Sequence, residues 1–100
     1  MKPFIIDAHQ DLAYNMISYG RDYCLPAKAT RAKEVGTKAV TENGNTLLGW
    51  QEYKDANVKI VFSTLFAAPA QDPLNVDDPL QYHNAEQAHQ LYKLQVEKYE

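Results

Sequence analysis

One cysteine, Cys24, occurs in 100 residues, which excludes an internal disulfide framework. Cys24 lies between Tyr23 and Leu25, with no CxxC spacing and no histidine near it in sequence, so it reads as a small buried or half-buried apolar residue rather than a nucleophile. Disulfide-free composition fits a reducing compartment. Long apolar runs are also missing: no window approaches the roughly 18 residues a membrane-spanning helix needs. Only Phe4, Ile5 and Ile6 separate Met1-Lys2-Pro3 from Asp7, too few for the apolar region of a signal peptide. Both absences lead us to expect a cytoplasmic protein. Positive charge is scarce as well. Ten Lys and Arg stand against 13 Asp and Glu, a net charge of −3, with no electrostatic reason to expect nucleic-acid or membrane binding. The basic residues between Lys28 and Lys38 are diluted by alanine, threonine and glycine and read as a solvated face.

What is present is the composition of a globular chain, 45% apolar and 23% charged. Phe4-Ile5-Ile6 runs into Asp7-Ala8-His9 as a buried strand with polar residues at its C-terminal end. From Leu12 the apolar positions Leu12, Ala13, Met16, Ile17 and Tyr19 recur at three and four, and Gly20 follows as a helix stop. Residues 21–45 are weakly periodic, punctuated by Pro26, Gly36 and Asn43-Gly44-Asn45, and read as an excursion with a helical stretch near Ala27 to Val35. Thr46 is placed to cap a helix over Leu47 to Ala56, with Leu47, Leu48, Trp50 and Tyr53 as its apolar side, although Gly49 opposes it. Val58 to Phe66 reads as a strand buried on both faces. A loop with three prolines follows from Ala67 to Pro79. Asp78, Pro79 and Gln81 then resemble a capping box opening a long helix, with Tyr82, Ala85, Ala88, Tyr92, Val96 and Tyr99 as its stripe.

Strand, helix, strand, helix is the rhythm of an α/β fold with parallel strands. Two such strands cannot form a sheet covered on both faces. The expectation is a chain that continues beyond residue 100, with residues 1–100 the N-terminal segment of a single domain. Alone, such a segment is expected to bind metal weakly and to catalyse nothing.

The chemistry-bearing segment is Ile5-Ile6-Asp7-Ala8-His9-Gln10-Asp11-Leu12. In extended backbone, alternate side chains share a face, so His9 and Asp11 point the same way. An imidazole nitrogen and a carboxylate oxygen so placed can reach one zinc ion at roughly 2.0–2.2 Å. They also fall at the C-terminal end of the first strand, where parallel α/β barrels carry their active sites. Asp7 is a candidate to orient a ligand or to bond backbone. His83 and His89 are six apart, about 240° around a helix, and cannot converge on one ion; both read as surface residues. Asp72, Asp77 and Asp78 show no calcium-loop spacing and read as cap and turn residues.

Ile6-Asp7-Ala8-His9-Gln10-Asp11-Leu12 resembles the opening motif of the membrane (renal-type) dipeptidases, a branch of the amidohydrolase superfamily of TIM barrels. Most of that superfamily opens with His-x-His, whereas His-x-Asp followed by leucine marks the dipeptidase branch. Trp50 to Phe66 is similar to the family's helix leading into a strand that ends in a Trp-Ser or Phe-Ser segment, and the long helix follows as its next element. Ala8, Gln10 and Ala13 stand where relatives usually have glycine, asparagine and proline, and none of these departures removes a ligand.

The resemblance implies the N-terminal part of a TIM (β/α)8 barrel. His9 and Asp11 would be ligands to the more buried of two zinc ions. A bridging glutamate, two histidines from later strands and an acidic proton-transfer residue are expected beyond Glu100. It implies hydrolysis of dipeptides, often with a D-residue at the C-terminal position, by a hydroxide bridging the two metals. The implied partner is a small peptide substrate, with no nucleic acid or membrane, and a homodimer is left open. Two alternatives stay open: another metallohydrolase of the superfamily, such as a TatD-like nuclease or a deaminase, and a non-catalytic domain.

Overall fold

The computed structural model describes residues 2–70 and 78–100. The elements in chain order are β1 (Ile5–Gln10), α1 (Leu12–Tyr19), α2 (Ala27–Glu34), α3 (Lys38–Asn43), α4 (Trp50–Asp55), β2 (Val58–Ser63), β3 (Ala68–Pro69), β4 (Gln81–Tyr82) and α5 (Ala85–Tyr99). Among the described residues helices and strands are mixed, and the strands form two two-stranded sheets, β1 with β2 and β3 with β4. Two compact units result, one from residues 1–10 and 21–62, the other from 11–20 and 63–100. Among the described residues, no helix is long and apolar enough to cross a membrane.

In the first unit, the Ile5 N–H donates to the carbonyl of Asn57, the residue just before β2, at 3.1 Å, so both strands start from the same end of their sheet. Asn57 makes that junction with a left-handed φ of 56°, which asparagine tolerates, while its Nδ2 holds the Pro3 carbonyl at 2.6 Å. The strands are less buried than their composition suggests. Ile5, Ile6, Ile60 and Phe62 are all about half exposed, at 47–60%. A sheet buries a face only against another layer, and in this unit the close packing lies elsewhere.

That packing lies in residues 21–53, of which 21–45 read from sequence as an excursion rather than a core element. The segment supplies buried Arg21, Ala27, Thr30, Glu34, Ala39, Thr46 and Tyr53. Lys28, Arg31, Lys33 and Lys38 face solvent, as the diluted basic pattern indicates. Arg21 Nε donates to Glu34 at 3.0 Å to Oε1 and 3.3 Å to Oε2, and its Nη2 donates to the Gly44 carbonyl at 2.5 Å. Burial opposes the Arg21 charge, but the hydrogen bond and charge of Glu34 outweigh it and hold the guanidinium pKa above its ordinary value.

The helix expected from Leu47 begins instead at Trp50. Thr46 does not cap it; its hydroxyl donates to the Leu48 carbonyl at 3.2 Å. Gly49 sets the start, because a Cβ there would stand 2.2 Å from the Leu25 carbonyl oxygen. That close approach lets the Trp50 N–H reach the Tyr23 carbonyl at 2.8 Å. Leu47 and Trp50 are consequently exposed, and only Tyr53 of the expected apolar side is fully buried. Cys24 is exposed rather than buried, in a turn where its N–H donates to Asp22 Oδ1 at 2.9 Å.

In the second unit, α1 packs on α5 around Ala13, Leu80 and Gln95, all with no exposed surface. Gly20 ends α1 as expected, with φ 66° and its N–H returned to the carbonyls of Asn15 and Met16. Tyr14 makes edge-on ring contacts with Phe66 (5.5 Å) and Tyr19 (6.1 Å).

The long helix starts later than its sequence signal. Asp78 accepts the Leu80 N–H at 3.0 Å in a local turn. Residues 81–82 are drawn into strand pairing: β3 and β4 are parallel, and Ala68 and Ala70 donate to the carbonyls of Leu80 and Tyr82. Helix begins only after Asn84, which accepts the Gln87 N–H at 2.9 Å while Gln87 Oε1 accepts the His83 N–H at 2.8 Å. Asp72 and Asp77 lie outside the described residues. The inward face of α5 keeps Ala88 and Tyr99 of the expected stripe but not the rest of its helical members. Tyr92 and Val96 are exposed, whereas Ala88, Leu91, Gln95 and Tyr99 form the buried or half-buried side.

Candidate functional site

His9 and Asp11 flank the boundary between the two units, so their surroundings are described in turn. His9 is exposed, next to the last residue of β1. Its position on the strand is set by Asp7, whose Oδ1 accepts the His9 N–H at 3.2 Å. The other oxygen, Oδ2, accepts Gln10 Nε2 at 2.8 Å and the Tyr53 hydroxyl at 3.4 Å. Asp7 therefore acts on the backbone of the candidate ligand, one of the two roles its sequence position offers.

Tyr53 is buried beside that carboxylate. Its phenol is pushed up to about 12 from 10.0, first by burial and then by the charge of Asp7 and the hydrogen bond to it. The folded state thus prefers the neutral phenol. Its contribution is complete below pH 10.0, where the phenol stays protonated in the unfolded chain too, and is lost as the pH rises towards about 12. Urea midpoints of the wild type should fall across that window more steeply than those of Y53F; parallel profiles would count against the pairing.

Asp11 begins the second unit. It is exposed and stands at the N-cap position of α1, with φ −92° and ψ 51°. The ψ value turns the chain out of the strand into the helix, so extended alternation stops at this residue. Aspartate at an N-cap ordinarily accepts a backbone N–H from the first helical turn through its side chain. Asp11 makes no such bond. The Ala13 N–H, a donor such a cap would satisfy, goes to the Tyr99 hydroxyl at 3.0 Å, and that hydroxyl donates to the Thr64 carbonyl at 2.7 Å. The Asp11 carboxylate instead accepts a short hydrogen bond from Thr64 Oγ1 on its Oδ1.

Thr64 directly follows β2, as Asp11 directly follows β1. Two residues leaving two successive strands are joined side chain to side chain. From sequence, Tyr99 reads only as a stripe residue and Thr64 only as part of the strand from Val58 to Phe66.

In kind, His9 and Asp11 are donors that zinc accepts. In number they are short of the three protein ligands usual in a catalytic zinc site, and no group of three or more His, Cys, Asp or Glu that could hold a metal occurs among the described residues. His83 and His89 are both exposed, His83 ahead of α5 and His89 within it. A groove of about 380 Å³ runs beside the start of α5, lined by Gln81, His83, Glu86, Gln87, Gln90 and Leu91, and includes neither candidate ligand.

No family model matches the chain, and no curated protein or solved structure matches it either.

Proposed function

We propose that this chain is the N-terminal part of a zinc-dependent dipeptidase with a (β/α)8 barrel, in which His9 and Asp11 are metal ligands. The observation that carries the proposal is the Asp11 carboxylate. It occupies a helix N-cap without capping, because the Tyr99 hydroxyl takes the Ala13 N–H in its place. A residue type well suited to capping is thereby kept for another use, at the end of a strand where barrel enzymes place their chemistry. The common starting end of β1 and β2 supports the same fold, as do their half-exposed apolar faces, which barrel neighbours and outer helices would cover.

Bound zinc would polarise a peptide carbonyl and bring the pKa of water to around 7. The chain's own part is to hold the donors. Asp7 fixes the backbone of His9, and Thr64 holds Asp11. The remaining ligands would have to come from outside the described residues. The substrate class is a small peptide, a dipeptide with an L- or D-residue at its C-terminal end.

The test is hydrolysis of a dipeptide panel and of DNA by the full-length protein, stripped with a chelator and reloaded with zinc. Dipeptide cleavage that returns with zinc and is absent from H9A and D11A is the expected result. Zinc-dependent DNA cleavage without dipeptide cleavage would assign the protein to a nuclease branch, and loss of neither activity in H9A and D11A would remove the pair as ligands.

A further inference from the structure

Resting on the ligand assignment above, we propose that Thr64 and Tyr99 are positioning residues for Asp11, holding its carboxylate ready for the metal and away from the start of α1. Three hydrogen bonds make the device. Tyr99 gives its proton to the Thr64 carbonyl, which turns the phenolic oxygen's lone pairs towards the Ala13 N–H. The Ala13 N–H in the first turn of α1 is thereby satisfied by a residue from the far end of α5, 86 positions away. Thr64 is used twice, its carbonyl anchoring Tyr99 and its Oγ1 donating to Asp11 Oδ1.

Each half of the device has a separate effect. Without Tyr99, the Ala13 N–H lacks its partner and Asp11 is the adjacent side chain suited to replace it, which draws the carboxylate into the helix cap. Without the Thr64 hydroxyl, Asp11 loses a donor that restricts its rotamer, and binding a metal must then pay for ordering it. Hydrogen bonds of this outer kind typically change metal affinity by about 10–100-fold. The hydroxyl matters in this scheme, not the bulk of threonine, so serine at position 64 should serve and valine should not.

Zinc affinity of the full-length protein, read by competition with a chromophoric chelator, tests this alongside the metal-free melting temperature. T64V is expected to bind about 10–100-fold more weakly than wild type, T64S to match wild type and Y99F to weaken binding. D11A should bind more weakly than any of them. If T64V does not fold, T64A and T64S are compared in its place. Affinity that falls only in step with melting temperature, or that T64S fails to restore, overturns the positioning role. So does wild-type affinity in both T64V and Y99F when D11A has lost binding, an outcome that leaves the ligand assignment standing. Zinc binding that is absent, or unchanged in D11A, overturns the ligand assignment and the positioning role together.

Discussion

Replacing Arg21 with alanine is expected to destabilise the protein by about 3–5 kcal/mol, the usual consequence of leaving one member of a buried ion pair alone. The Arg21 and Glu34 side chains are only 4% and 9% exposed, and their Nε–Oε1 separation is 3.0 Å. Alanine removes the partner but leaves the Glu34 carboxylate where little water reaches it. The Gly44 carbonyl loses its guanidinium donor as well. R21K should recover only part of the loss, because a single ammonium cannot serve Glu34 and Gly44 in the fork geometry of arginine.

The informative comparison is the double variant R21M/E34L. Burying two charges costs nearly what their attraction returns, so removing both should be close to neutral, or stabilising. Urea unfolding of the two single variants and the double variant measures this directly. A double variant as unstable as R21A would show that the pair holds residues 21–44 by shape and hydrogen bonding rather than by cancelling charge. The surface pair Lys38–Glu42 is the control. Its side chains are 56% and 47% exposed at 3.6 Å, and K38A should change stability by less than about 1 kcal/mol.

Gln95 gives the second large effect. Its side chain has no exposed surface, and it pairs with one residue's backbone from both sides: Oε1 accepts the Phe66 N–H at 2.7 Å and Nε2 donates to the Phe66 carbonyl at 2.6 Å. Nε2 also reaches the Leu91 carbonyl at 3.1 Å. An amide thus does for Phe66 what a neighbouring strand does in a sheet. Q95L keeps much of the volume and removes the pairing, leaving two backbone groups of Phe66 without their protein partner, at a cost of about 2–3 kcal/mol. Q95E should be more harmful at neutral pH, since a carboxylate can accept from the Phe66 N–H but repels its carbonyl. Protonation restores a donor, so the stability of Q95E relative to wild type should rise as the pH is lowered. Thermal melts at neutral and acidic pH read the difference; a flat difference would mean that Gln95 serves as filler.

Local rules made much of this molecule legible. β1, α1 and its Gly20 stop, the helix near residue 27, β2 and the final helix follow from period and punctuation. The misplacements share one cause. Asp78-Pro79 is a sound local start for a helix, yet pairing of residues 80–82 with Ala68 and Ala70 competes for the same backbone and moves the start to Asn84. Thr46 is a sound local cap, yet the approach of Gly49 to the Leu25 carbonyl decides where α4 begins. The stripe on α5 is legible only in part, at Ala88 and Tyr99, because a buried glutamine looks polar in a sequence; only a backbone partner 29 positions away makes Gln95 a core residue.

The same division applies to the candidate site. Sequence by itself supplied His9 and Asp11 as donors at the end of a strand, because strand composition and donor chemistry are local properties. Whether the Asp11 carboxylate caps α1 or bonds elsewhere is not local. It depends on a hydroxyl from the end of α5 taking the helix donor and on a threonine after β2 holding the carboxylate. Tertiary structure decided that, because a hydrogen bond between residues tens of positions apart exists only once packing has brought the two together.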